Sequence, residues 1–172
     1  MYNSTLKFFL NVNFRNTTFF VTLDHQSSLT FCLTMPTFNV EVVVPTRTII
    51  EKVLLLHEEF SKPIENIRTD RLTRHFYDID KIMDSEFGEQ AIVDDDLFTN
   101  IVEQRQKVKP LRGIDYSNHK KGKLSILPPE VVFERWAEDY KTMQEHMIIG
   151  NSLSWNDLLN RLKEIENKFN KI

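Results

Sequence analysis

The sequence predicts an α+β protein in which a short β-rich segment is followed by a bundle of helices. Residues 6–44 are rich in Phe, Val, Thr and Leu, whereas the apolar residues after Pro45 recur at the helical spacing of three and four. A run of strands followed by a run of helices favours α+β over α/β. We therefore expect a β-rich domain over residues 1–45 and a helical domain over residues 46–172.

About four strands are expected in the β-rich segment, separated by polar breaks such as Asn16-Thr17. They cover Leu6–Phe14, Phe19–Leu23, Leu29–Leu33 and Asn39–Val44. Four short strands form a stable sheet only when one face is covered, which the helices that follow would do. Since unpaired strand edges promote association, we also expect a homo-oligomer formed through this segment.

About five helices are expected after Pro45. They begin near Thr48, Ile67, Asp94, Pro129 and Ser154. Thr48 and Glu51 have the spacing of a capping box, which predicts that the first helix begins at Thr48. The acidic run of residues 94–96 suits a helix N-terminus. Consecutive helical residues point in different directions, so this run is interpreted as a cap and not as a metal site.

The composition excludes several classes of protein. A net charge of −3 over 172 residues argues against binding nucleic acid through bulk charge. Cys32 is the only cysteine, which excludes an intramolecular disulfide and a multi-cysteine metal site. The sequence has no glycine-rich phosphate loop and no run of about 18 apolar residues. We therefore expect a cytoplasmic protein in which any phosphate binding comes from side chains or helix N-termini.

The best candidates for site residues lie in the first two predicted helices. Arg71, Arg74 and His75 precede Asp78 by seven, four and three residues, which places all four on one helical face. Such a polar cluster is costly unless its members are paired or used. Lys52 lies early in the preceding helix. The alternative is an exposed lysine and an Arg74–Asp78 surface pair that contributes roughly 0.3–0.5 kcal/mol.

Residues 45–57 (PTRTIIEKVLLLH) and 71–79 (RLTRHFYDI) resemble the AbiEii/AbiGii family of nucleotidyltransferase toxins. Residues 136–154 resemble the C-terminal part of one branch of that family, and the resemblance extends from about residue 6 to the end of the chain. These toxins belong to bacterial abortive-infection toxin–antitoxin pairs, which act in phage defence. The resemblance implies transfer of a nucleotidyl group from a nucleoside triphosphate (NTP) with Mg²⁺, an RNA acceptor and an antitoxin partner.

The resemblance also implies roles for the polar cluster. Lys52 would contact the triphosphate of the incoming nucleotide, for which an ammonium group is a suitable point charge. Asp78 would be a catalytic-site carboxylate that orients Lys52 or a substrate hydroxyl. Arg74 and His75 would position Asp78 or bind phosphate directly.

A basic segment between the third and fourth predicted helices is a candidate RNA contact. It combines cationic residues with the aromatic Tyr116, a pattern typical of binding to an RNA backbone. The candidate contacts are Lys107, Lys109, Arg112, Lys120 and Lys121. The alternative is a solvated loop.

Two departures from the family bear on activity. The sequence has no Gly-Ser dipeptide, whereas family members begin with a core that carries this motif and metal-binding aspartates. Asn11 stands where family strands often carry a glutamate. We therefore expect this chain to correspond to the C-terminal part of a toxin, with residues 1–45 as the remainder of the core, no metal-binding residues and no tightly bound nucleotide. The alternative is a non-catalytic helical module that binds an antitoxin or RNA.

The isolated chain is expected to transfer no nucleotide, because it lacks the Gly-Ser motif and the aspartates that hold the metal in the family. The measurement is incubation with each labelled NTP, magnesium and total transfer RNA, followed by electrophoresis of the RNA. Labelling of the RNA that disappears in Lys52→Ala would contradict this expectation.

Overall fold

A computed structural model describes most of the chain after residue 41 and two short strands before it. The described residues are 12–14, 17–19, 42–108, 110–111 and 113–171. The chain divides into two compact units, Met1–Val44 and Pro45–Ile172. The interpretation of the first unit as the remainder of a nucleotidyltransferase core stays a prediction.

The described part of the first unit is a small antiparallel hairpin. Its strands are β1, Val12–Phe14, and β2, Thr17–Phe19. Val12 pairs with Phe19, and Phe14 pairs with Thr17. The second strand therefore begins at Thr17, which the sequence had indicated to be a break.

The predicted α+β class with four strands is wrong for the described residues, which are predominantly helical. The hairpin contributes only two strands of three residues each. The predicted strand at Asn39–Val44 is wrong over its described residues. Residues 42–44 have no regular structure, and a helix begins at Pro45. Strand propensity depends strongly on packing context, so apolar β-branched residues alone did not specify a strand here. The predicted strand at 29–33 lies outside the described residues.

The second unit contains six α-helices among its described residues. They are α1, Pro45–Phe60; α2, Thr73–Met83; α3, Glu86–Val93; α4, Asp95–Val108; α5, Phe133–His146; and α6, Trp155–Asn170. Short 3₁₀ turns occur at Ile64–Asn66, Tyr116–Asn118 and Glu130–Val132. Among the described helices, none is long and apolar enough to cross a membrane.

Helix α1 lies at the centre of this unit and packs against α2, α3 and α4. Ile49, Val53 and Leu56 repeat at helical spacing and have no exposed surface. The predicted start at Thr48 is wrong, since the helix begins at Pro45. Proline suits the first helical position because its fixed φ is helical and its missing N–H would have no partner there.

Helix α2 is shorter than predicted. It begins at Thr73 and not near Ile67, and the positive φ of 57° at Arg71 interrupts helical geometry just before it. Arg71 therefore lies outside the helix, whereas Arg74, His75 and Asp78 lie on it within one turn.

Helix α3 was not predicted from the sequence. Its third residue, Gly88, is a poor helix former. The structure gives this glycine a packing role, since a Cβ atom at this position would lie 2.5 Å from the Cα of Met83 and 2.8 Å from its carbonyl oxygen. The close approach of α3 to the end of α2 thus depends on the absence of a side chain.

The last two helices complete the core. Trp136 of α5 packs against both Phe60 and Phe76, with ring centroids 4.9 Å apart in each case. Helix α5 ends at His146. Helix α6 begins where predicted, because the hydroxyl of Ser154 accepts a hydrogen bond from the backbone N–H of Asp157.

Gly88→Ala is expected to destabilise the protein by about 1–3 kcal/mol, the usual effect of overpacking a tight contact. In an open helical site the same change would instead stabilise by about 0.5–1 kcal/mol. Urea unfolding followed by circular dichroism measures the difference. Glu89→Ala, at an exposed neighbouring position, is the control and should change stability little. An increase in stability for Gly88→Ala would contradict the packing role.

Candidate functional site

Lys52 and Asp78 lie against each other across α1 and α2. The Lys52 Nζ atom donates a hydrogen bond to Asp78 Oδ2 at 2.7 Å and approaches the Nδ1 atom of His75 at 3.3 Å. The two contacts come from one face of α2, because residues 75 and 78 are separated by one turn. The structure thus brings together three of the residues that the sequence singled out, while their functional roles stay a prediction.

The contact with Lys52 indicates which nitrogen of the His75 ring carries the proton. An ammonium group only donates hydrogen bonds, so Nδ1 must be the acceptor and the ring proton must lie on Nε2. Burial of the ring, together with the nearby charges of Lys52 and Arg74, lowers the pKa of His75 to about 4. The imidazole is therefore neutral at pH 7 and orients Lys52 without repelling it.

Lys52 remains accessible although it is paired. Its side chain is 20% exposed and that of Asp78 is 39% exposed. Asp78 pairs with Lys52 and not with Arg74, the partner in the simpler alternative from the sequence. Because an ammonium group has three N–H donors, one donor of Lys52 remains for a ligand after the contacts with Asp78 and His75.

Arg71 and Arg74 are exposed on the N-terminal side of the same site. Within the described residues, neither guanidinium group makes a hydrogen bond or an ion pair. Arg74 lies on α2 as predicted, whereas Arg71 precedes the helix. Both are therefore guanidinium groups without an acidic partner among the described residues.

Asp139 of α5 holds the start of α2, a role that the sequence analysis missed. Its Oδ1 accepts from the backbone N–H of Arg71 at 2.8 Å, and its Oδ2 accepts from the hydroxyl of Thr73 at 2.6 Å and from the Thr73 N–H at 3.2 Å. These bonds cap the helix from outside and hold Arg71 at φ 57°, a conformation that costs a non-glycine residue on the order of 1–3 kcal/mol. Asp139 and Thr73 are 66 residues apart in the sequence, so no local pattern indicated this contact.

The predicted RNA contacts are partly engaged in contacts within the fold. Lys107 pairs with Glu103 at 2.8 Å, and Lys121 pairs with Asp95 at 2.5 Å. Lys120 is exposed, and the structure gives it no such partner among the described residues. Lys109 and Arg112 lie outside the described residues. Their contact with RNA stays a prediction.

A buried cluster attaches this basic segment to α1. Arg105 donates two hydrogen bonds to the carboxylate of Glu58, one of them 2.8 Å long from Nε. His119 lies 3.4 Å from the same carboxylate and 4.9 Å from the ring of His57, measured between ring centroids. Burial raises the pKa of the Glu58 carboxyl, but the bonds and charges of Arg105 and His119 outweigh it and hold the pKa at about 2. The cluster is therefore a structural anchor with an ionised carboxylate.

The described residues contain no group of three or more His, Cys, Asp or Glu side chains that could hold a metal ion. The acidic run of residues 94–96 agrees with its interpretation as a helix cap, since Asp94 Oδ1 accepts from the backbone N–H of Leu97 at 2.9 Å. The divalent metal that nucleotidyl transfer requires in related proteins thus has no fitting set of ligands in this part of the chain.

The described site is thus an oriented, partly exposed ammonium group on α1 that contacts Asp78 and His75 of α2, with Arg74 close enough to His75 for its charge to act on the ring. Residues 2–161 match the family model described as nucleotidyl transferase AbiEii toxin, type IV toxin–antitoxin system. The chain therefore belongs to the AbiEii nucleotidyltransferase toxin family. Membership implies an NTP and a divalent metal as cofactors and an antitoxin as partner. Neither a curated protein nor a solved structure matches the chain.

The free energy of unfolding is expected to fall as the pH decreases from about 6.5 to about 4. Within this window the unfolded chain binds a proton at His75 that the folded chain, with its lowered pKa of about 4, does not bind. His75→Asn should therefore make the stability profile shallower between these pH values. His57 retains part of the slope, since burial and the nearby His119 lower its pKa as well.

Urea unfolding at a series of pH values measures this effect. His146→Asn, at an exposed position on α5, is the matched control and should keep the slope of the wild type. Equal slopes for His75→Asn and the wild type would contradict the neutral, buried state of His75.

Proposed function

We propose that Lys52 and Arg74, with Lys52 positioned by Asp78 and His75, bind the triphosphate of an NTP in the nucleotidyl-transfer chemistry of this family. The observation that supports this proposal is the 2.7 Å contact between Lys52 Nζ and Asp78 Oδ2 in a partly exposed position. It holds the ammonium group in one place and leaves a donor for a phosphate oxygen. Preorganised donors of this kind stabilise charge on a transferring phosphoryl group without reorganising during the reaction.

The three residues around Lys52 have different tasks in this proposal. Asp78 fixes the position of the ammonium group through a charge-assisted hydrogen bond. His75 limits its rotation through Nδ1 and remains neutral, so the local positive charge comes from Lys52 and Arg74. Arg74 presents a planar fork of donors that suits two phosphate oxygens at once.

A purely structural salt bridge is the competing explanation of the Lys52–Asp78 contact. Exposed pairs of this kind contribute about 0–1 kcal/mol to stability. Such a pair has no need of a neutral imidazole as a third partner or of a guanidinium group one turn away. The shared position of all four groups therefore favours ligand binding.

The metal that supplies Lewis-acid chemistry in this family does not fit the described residues, because they lack a cluster of metal ligands. We therefore derive no step of the reaction through it. The residues of this unit bind and orient the nucleotide, and the acceptor in our proposal is RNA. Lys120 is exposed and lines a groove beside α4 that Lys171 also lines, so it is a candidate contact for such an acceptor.

Lys52→Met is expected to weaken the binding of NTPs and of inorganic tripolyphosphate by about 10–100-fold. A hydrogen bond to a charged group contributes roughly 1.5–3 kcal/mol, and each 1.4 kcal/mol corresponds to about a tenfold change in affinity. Isothermal titration calorimetry in the presence of magnesium measures both ligands. Asp78→Asn should weaken binding to a smaller extent, because the ammonium group remains but loses its anchor.

Lys163→Met, which removes an exposed cation from α6, is the matched control and should bind like the wild type. Equal affinities for Lys52→Met and the control would overturn the proposal. Such a result would favour the alternative of a non-catalytic module that binds an antitoxin or RNA.

A further inference from the structure

A groove lies between the residues that precede α2 and the C-terminal half of α5. Its volume is about 210 Å³, and its walls include Arg71, Arg74, Met143, His146 and Met147. Pockets for drug-sized ligands measure roughly 300–1,000 Å³. The smaller volume suits a single ring system rather than a whole nucleotide.

The groove combines an apolar floor with a cationic rim. Met143 is almost fully buried, and Met147 is 53% exposed at the end of α5. Thioether side chains adapt to flat ligands and make favourable contacts with aromatic rings. Guanidinium groups stack on ring faces and donate hydrogen bonds in the ring plane. The lining therefore suits a flat, polar aromatic ring that carries hydrogen-bond acceptors.

The rim is held in place by the backbone. Arg71 has a φ of 57°, and Asp139 accepts a hydrogen bond from its N–H at 2.8 Å. The same carboxylate accepts from Thr73, the first residue of α2. Backbone conformations that other residues rarely adopt persist where the surroundings fix them, and they cluster at ligand sites. Within the described residues the guanidinium group that this geometry presents has no acidic partner.

The groove adjoins the Lys52 site through α2. Arg74 lines the groove and precedes Asp78 by one turn, which is about 6 Å along a helix axis at 1.5 Å per residue. A ligand that extends from Lys52 past Arg74 therefore reaches the groove. An NTP has this shape, with a charged triphosphate at one end and a flat base at the other.

We propose that this groove binds the base of the NTP whose triphosphate is held at Lys52. This inference rests on the proposed function and adds to it the part of the site that recognises the base. Met143 and Met147 contact the face of the ring, and Arg71 donates to acceptors on its edge or stacks on it. Arg74 lies between the two halves of the ligand. Asp139 is a positioning residue, since it acts on the ligand only through Arg71 and α2.

Two variants separate the groove from the phosphate site. Met147→Asp places a carboxylate beside the proposed base at an exposed position. Arg71→Gly removes the guanidinium group and relieves the positive φ, so the fold tolerates it. We expect each variant to weaken the binding of at least one of the four NTPs about tenfold and to leave the affinity for inorganic tripolyphosphate unchanged. Lys52→Met weakens both ligands.

Calorimetry with the full chain and magnesium provides the measurement, and thermal melting verifies that each variant is folded. Ile149→Asp is the matched control for Met147→Asp, because Ile149 is fully exposed and lies two residues beyond it, outside the groove lining. Lys163→Met, at an exposed position on α6, is the control for the loss of a cation in Arg71→Gly.

The results distinguish the two proposals. If Lys52→Met weakens both ligands while Met147→Asp and Arg71→Gly bind every NTP like the wild type, the phosphate site stands and the groove inference is overturned. If the wild type binds neither NTPs nor tripolyphosphate, both are overturned. Weakened binding of a single-stranded RNA oligonucleotide, with unchanged NTP binding, would assign the groove to the acceptor and overturn the inference.

Discussion

The helical unit depends on α1, because this central helix combines an apolar surface with charged residues that have little contact with water. Glu58 and Glu59 are 3% and 1% exposed. Removing the partner of a buried charge costs about 3–5 kcal/mol, so each carboxylate must be met by a cation. Arg105 of α4 pairs with Glu58, and Arg68, which precedes α2, pairs with Glu59. These ion pairs fix the neighbours of α1, and the position of Lys52 against α2 follows from that arrangement.

Periodicity predicted those parts of the fold whose determinants lie close together in the sequence. The apolar repeat of α1, the cap of α6 at Ser154 and the shared helical face of His75 and Asp78 all depend on residues within about one or two turns. The approach of Lys52 to Asp78 did not follow from periodicity; the resemblance to the family implied it, and the structure shows the contact. The resemblance to a family supplied the chemical interpretation, which helical spacing alone did not contain.

The features that sequence reasoning missed depend on distant contacts. Helix α3 was not predicted, because the role of Gly88 in it depends on a close contact with the backbone of Met83. The start of α2 depends on Asp139, a residue of α5, so no local cap signalled it. The strand prediction failed at residues 42–44 for a related reason. Apolar β-branched residues favour a strand only where a partner strand and a covered face are present.

The distribution of paired and unpaired cations reconciles a net charge of −3 with the proposed binding of a triphosphate. At physiological ionic strength, charges beyond a Debye length of about 8 Å are largely screened, so a ligand responds to nearby groups. Arg105 and Lys121 are neutralised by acids of the fold. Arg71 and Arg74 have no such partner among the described residues, and both line one groove between the start of α2 and α5. The local charge at the site is therefore positive although the chain as a whole is acidic.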